Sequence, residues 1–211
     1  MIWLKILDLL GVFVFAASGA LSGSRKNMDI LGIFVLATVT AVGGGSLRSI
    51  LIGDLPIGFL KDISYLIVCL GATLAVFILQ SHFERLEKLI LVFDALGLGA
   101  FTIIGINIAL AKGLSLWASL LMGIITASFG GVVRDILINE IPFIFQKEIY
   151  ATAALIGGIL YLALNKLSII PNELNICLSA FLICAIRLFS LKLKLSLPKS
   201  KNVQINQNKD G

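Results

Sequence analysis

The sequence predicts an all-α, polytopic membrane protein: seven transmembrane helices, arranged as two inverted three-helix repeats plus a seventh helix. Three observations carry this. Of 211 residues, 58% are apolar and only 14% charged, with a mean hydropathy of +1.03. Soluble domains run near half apolar and about a quarter charged, so too few polar residues remain here to cover a water-soluble fold. That excludes an ordinary cytosolic enzyme and points to apolar surface facing lipid. The apolar residues also fall into seven long runs, and the chain repeats itself once.

A membrane helix needs about 20 residues to cross about 30 Å of hydrocarbon, and seven use roughly 140. The runs are 2–21, 30–52, 64–80, 89–110, 114–138, 149–164 and 174–189. They are continuous, without the ten-residue alternation of barrel strands. The first, with Lys5 near its start and small residues at 16–20, has the look of a signal peptide. Its recurrence as the fourth run argues for a retained span. Cys69, Cys177 and Cys184 sit inside runs without ligand spacing and read as packing residues. His82, alone in a charged loop, reads as solvated. With no metal-ligand cluster, cofactor loop or nucleophile–base set, neither enzymatic activity nor a cofactor is expected, and no nucleic-acid partner.

Sliding the chain against itself by 86 residues gives a gapless match, with 17 identities in 55 positions between 8–62 and 94–148. Asp8 falls on Asp94, Phe15 on Phe101, Lys26 on Lys112, Thr40 on Thr126, Arg48 on Arg134 and Pro56 on Pro142. Apolar composition alone does not align Asp, Arg, Gly and Pro in one register. The first repeat takes residues 1–80 and the second 86–166; the seventh helix takes 172–190, and 191–211 read as a disordered basic tail. Three spans per copy is an odd number, so the copies are expected to cross in opposite directions, as in inverted repeats around transport pathways. Loop charge orients the bundle. With the N-terminus outside, the inner loops carry Arg25, Lys26, Arg85, Lys88 and Lys147, and the inner tail Lys192, Lys194, Lys199 and Lys201. The outer segments keep Lys5, Lys61, Lys112 and Lys166. The expected setting is the cell (inner) membrane with a cytoplasmic C-terminus, where the tail lysines either meet anionic lipid or only set orientation.

Spans two and five carry Gly43-Gly44-Gly45 and Gly130-Gly131. Glycine costs about 1 kcal/mol against alanine in a helix interior, so adjacent glycines mark a kink or unwinding. In lipid such a break belongs along a cavity; close small-residue helix contact is the alternative. Arg48 and Arg134 follow about one turn from the span ends, where a charge either snorkels or finds a partner. Asp8 and Asp94 lie at matching depths, so the expected intramembrane pairs are Asp8 with Arg48 and Asp94 with Arg134. These pairs either staple the bundle or line the mouths of a pathway. The copies differ where Ser49 stands against Asp135 and where Phe129 replaces the first glycine. Thr40 and Thr126 could offer hydroxyl oxygens to an ion or bond the carbonyl a turn back in their own helix.

The doubled glycine–arginine motif at fixed spacing resembles the bacterial and archaeal relatives of the trimeric intracellular cation (TRIC) channels, also described as a membrane family with a "glycine transporter" domain. The matching stretches are Gly43 to Ser49 with Gly53-Asp54-Leu55-Pro56, and Gly130 to Asp135 with Pro142. The resemblance covers about residues 3–190 and implies a homotrimer in which each subunit holds its own pore, kinked at the glycines and conducting K⁺ and Na⁺. Ser49 and Phe129 depart from a symmetric pore. The lysine-bearing lipid site of the animal members is unmatched, since Ser46 and Val132 stand there.

Two functions follow. The first is a passive K⁺/Na⁺ channel in which backbone carbonyls, Thr40, Thr126, Ser49 and Asp135 meet the ion at the glycine breaks. The second is a secondary transporter of glycine or another small zwitterion, which inverted repeats and broken helices fit equally well.

Overall fold

The computed structural model describes residues 2–79, 86–146 and 149–193. Gln80, His82, Arg85, Lys147 and the tail from 194, with Lys194, Lys199 and Lys201, lie outside the described residues.

The described residues form nine helices and no strand: α1 (Ile2–Arg25), α2 (Ile30–Leu51), α3 (Gly58–Lys61), α4 (Ser64–Leu79), α5 (Leu86–Ala111), α6 (Leu116–Leu137), α7 (Phe143–Gln146), α8 (Ala151–Leu167) and α9 (Asn172–Leu193). Five of them, within α1, α2, α5, α6 and α9, are long and apolar enough to cross a membrane. The apolar α4 and α8 have only 16 and 17 residues, which at about 1.5 Å per residue falls short of a 30 Å core. The short helices α3 and α7 sit in stretches expected to be plain loops. Helix α9 runs through Leu193, past the expected start of the tail at 191.

Local chemistry sets the ends. Asp29 caps α2 by accepting from the Gly32 N–H at 2.7 Å. The turns after the first two helices of each repeat need left-handed backbone, and each repeat meets the need differently. Asn27 (φ 55°) occupies the place of Gly113 (φ 79°), and Gly53 (φ 71°) that of Asn139 (φ 56°). Glycine and asparagine are the residues that reach this region at least cost. These positions are mismatches in the alignment and equivalents in conformation.

The core is built by α1, α2, α5 and α6, with α5 the most enclosed. Contacts between the repeats come in exchanged pairs. Phe15 meets its own equivalent Phe101, ring centroids 5.2 Å apart. A Cβ built on Gly44 would lie 1.9 Å from the Thr126 carbonyl oxygen, and one on Gly130 2.1 Å from that of Thr40. Rising numbers on one helix meet falling numbers on the other, so α2 and α6 cross antiparallel. Lys26 Nζ reaches Glu140 at 2.9 Å and, in mirror fashion, Lys112 Nζ reaches Asp54 at 3.0 Å. These bridges lie at opposite ends of the bundle, the Lys26 end and the Lys112 end. Helix α9, outside the repeat, packs on α5 and α8.

Candidate functional site

The expected unwinding at the glycines is absent: α2 and α6 are continuous helices through 43–45 and 130–131. The reason is contact. Gly44 and Gly130 are seated on a backbone carbonyl of the opposing helix, where no side chain fits. A Cβ built on Gly43 would meet the Gly130 Cα at 3.6 Å, an ordinary contact. Gly45 faces Arg48 of its own helix, and Gly131 faces Asp94, Tyr150 and Arg134. Thr40 and Thr126, both buried, donate their hydroxyls to Leu36 and Met122 carbonyls at 2.6 Å. Their oxygens press against Gly19 and Gly105, so both threonines serve helix packing.

The two charged clusters differ sharply. In the second repeat, Arg134 is fully buried (0% exposed) with Asp94 and Asp135 at 1% each. Arg134 Nη1 donates to Asp94 Oδ1 at 3.0 Å and to Ser18 Oγ at 2.6 Å, and Nε donates to Asp135 Oδ1 at 2.8 Å. The other Asp135 oxygen accepts the Phe143 backbone N–H at 3.0 Å. The guanidinium lies 4.9 Å from the Phe143 ring centroid. Arg187 of α9, also buried, sits 5.0 Å over the Tyr150 ring. Asp94 Oδ2, Arg134 Nη2 and Arg187 Nη2 are left without a hydrogen-bond partner.

In the first repeat, Asp8 and Arg48 are half-buried and form no ion pair. The Tyr65 hydroxyl donates to Asp8 Oδ2 in their place, and the Arg48 Nε has no protein partner. The expected Asp8–Arg48 contact is therefore corrected to a tyrosine–aspartate bond, with the guanidinium near enough to feel the carboxylate's charge. Ser49, buried, cannot tie the arginine down as Asp135 does.

Space follows charge. A cavity of about 40 Å³ is lined by Asp8, Gly45, Arg48, Ser49, Tyr65 and Phe101, among others, enough for a few waters. It shares Asp8, Gly58 and Tyr65 with a wider one of about 350 Å³ that reaches Lys5, Asp62 and Asn107. At this mouth Asp62 is held well below the usual carboxylate range by the Ser64 hydroxyl and by Lys5, whose Nζ stands 2.9 Å away. The equivalent space beside Gly131, Arg134 and Asp135 has no room for a water.

Tyr65, Tyr150 and Arg187 were invisible to the motif reading. The tyrosines stand at the starts of α4 and α8, 85 residues apart, one short of the repeat register, so a one-residue gap would have aligned them. Arg187 could have been found as a charge inside an apolar run.

The family model described as "Glycine transporter" matches this chain twice, over residues 5–81 and 91–166. The chain belongs to that family. Among its relatives are the UPF0126 inner membrane protein YadS of Escherichia coli K12, 38% identical over 193 residues that cover 91% of this chain and 93% of YadS, and a UPF0126 membrane protein of Vibrio cholerae, 38% identical over 92% and 82% of the two chains. Solved structures of family members superpose closely. The TRIC trimeric intracellular cation channel orthologue from Rhodobacter sphaeroides is 35% identical, with a TM-score of 0.87 over 91% of this chain and 98% of that one. A second TRIC cation channel is 38% identical, with a TM-score of 0.82 over 93% and 97%. The resemblance read from the doubled glycine motif is thus a family relationship that includes the TRIC channels, and the fold is that of a TRIC-like membrane protein.

Proposed function

We propose that this chain is a monovalent cation (K⁺/Na⁺) channel with a pathway inside each protomer of a homotrimer. The observation that carries the reading is the pair of cavities with Asp8, Gly58 and Tyr65 in common, one reaching Lys5 and Asp62 and the other Gly45 and Arg48. It sits in a fold shared with solved cation channels. The carboxylates of Asp62 and Asp8 favour cations at the mouth. Ahead lies the α2–α6 crossing, then the equivalent residues Gly131 and Arg134. The antiparallel, exchanged contacts support an inverted repeat with α4 and α8 as the short third spans and α9 as the seventh, all within the inner membrane. In this arrangement the N-terminus is outside, the C-terminus is cytoplasmic and the Lys112 end is the outer one. Ser49, Asp135 and the threonines stand beside the pathway as supports.

A glycine carrier is the second reading. The opposite charges of Asp8 and Arg48 at one small cavity would suit a zwitterion, and the family model's description names glycine transport. Planar-bilayer recording together with liposome flux of K⁺, Na⁺ and glycine separates the two. The channel requires discrete unitary K⁺ currents; saturable glycine counterflow without unitary currents would replace it with the carrier.

A further inference from the structure

We propose that Phe143 and Ile144, latched by Asp135, form a plug that closes the pathway at the Lys26 end. The inference rests on the conduit reading for its function, but the plug itself is a statement about access.

It follows from comparing each residue of the sealed space with its equivalent 86 positions earlier. Gly131, Val132, Arg134 and Asp135 correspond to Gly45, Ser46, Arg48 and Ser49, which line the open cavity. The same backbone framework therefore encloses about 40 Å³ in one half and none in the other. The walls differ at Ser46 against Val132 and Ser49 against Asp135, and in what enters from the following loop. Ile57 and Gly58 stand there in the first repeat, Phe143 and Ile144 in the second. A ring replaces an aliphatic chain, and a branched side chain replaces none. The plug is also fastened: Asp135 Oδ2 accepts the Phe143 backbone N–H at 3.0 Å while its other oxygen holds Arg134. The Arg134 guanidinium in turn lies against the Phe143 ring. Ser49, the equivalent of Asp135, offers no such latch. One substitution thus supplies both the counter-charge and the anchor of the closing segment, and release of Asp135 would free Phe143 and Arg134 together.

The test uses purified full-length protein in detergent, where both ends are open to solvent. In a Cys177→Ser background, single cysteines are placed at the buried Ser128 in the closed space and at the equivalent, partly exposed Val42 in the open one. Each is reacted with a charged, water-soluble thiol reagent. The expected result is that V42C reacts readily while S128C does not. Adding Phe143→Ile with Ile144→Gly, or Asp135→Ser alone, should speed S128C labelling by roughly an order of magnitude, as local opening replaces a closed site. If S128C folds poorly, hydroxyl-radical oxidation of Tyr150, which lines the same space and is buried, serves as the reporter. The plug is overturned if S128C already reacts as fast as V42C, or if the reporter stays protected after the exchange in protein whose V42C still labels. Liposome K⁺ flux on the same variants separates the two readings. Labelling gained together with several-fold higher flux supports plug and conduit alike. Labelling gained with unchanged flux keeps the plug and overturns the conduit.

Discussion

The two repeats place the same residue types at the same positions, yet one half of the molecule keeps space for water beside them and the other none. Asp8 and Arg48 sit half-buried beside space for water, with Tyr65 rather than the arginine on the carboxylate. Asp94 and Arg134 are enclosed, joined at 3.0 Å and reinforced by Asp135 and Ser18. The lesson is that an Asp–Arg spacing specifies a location, while the residues packed around it decide how much space is left beside it. Burial also changes what the pair is worth. Breaking an enclosed ion pair strands a buried charge, whereas removing an arginine that makes no ion pair strands none.

Substitutions in the two halves should therefore diverge. Arg134→Gln is expected to cost about 3–5 kcal/mol, seen as lost folded yield or a large drop in detergent melting temperature. Arg48→Gln should cost less than about 1 kcal/mol, because Arg48 lines a cavity, its Nε already lacks a partner and no ion pair with Asp8 is lost. Equal losses would erase the distinction between the halves. The helix crossing, by contrast, is shared, so Gly44→Ala and Gly130→Ala should each destabilise by about 1–3 kcal/mol as the new methyl meets a carbonyl oxygen. Gly43→Ala, whose new methyl would meet the Gly130 Cα at an ordinary 3.6 Å, should be close to neutral; a large loss there would contradict the division of the triplet into one contact point and its neighbours.

Smaller effects sharpen the picture. Arg187→Gln removes the cation over Tyr150 and should cost about 1 kcal/mol, lowering stability without changing which cavity admits water. The bridges Lys26–Glu140 and Lys112–Asp54 are surface pairs, and Lys→Gln in either should cost less than about 1 kcal/mol and fade with salt. Their pH dependence has one sign. Burial raises the Glu140 carboxyl, but Lys26 and Arg25 outweigh it and hold it low, and Lys112 holds Asp54 low. Groups depressed in the fold stabilise it above their unfolded pKa values and lose that contribution as pH falls through the folded ones. Melting temperature should hold steady near neutrality and decline only in acid; a decline on raising pH from 6 to 8 would contradict the pairing.

Much of this was legible in the sequence. Hydropathy located every long helix, the 86-residue register paired the right helices, and intramembrane charge pointed to Asp94 and Arg134. What stayed hidden had physical causes. The glycines read as breaks because propensity is a one-helix argument, and only the opposing helix shows that Gly44 and Gly130 are contact points. Tyr65 and Tyr150 fell one residue out of register. Asn27 with Gly113, and Gly53 with Asn139, look like differences because conformation, rather than residue identity, is what the turns require. Phe143 and Ile144 gave no signal, since filling a space depends on where a loop folds back.

Hydroxyl-radical footprinting of the unmodified protein tests the wet–dry division most directly, because Tyr65 and Tyr150 report from the two halves in one experiment. Oxidation at Tyr65, half-buried at the cavity wall, with Tyr150 protected at 2% exposure, is the result this structure requires. Equal oxidation of both tyrosines, or protection of Tyr65 alone, would contradict it.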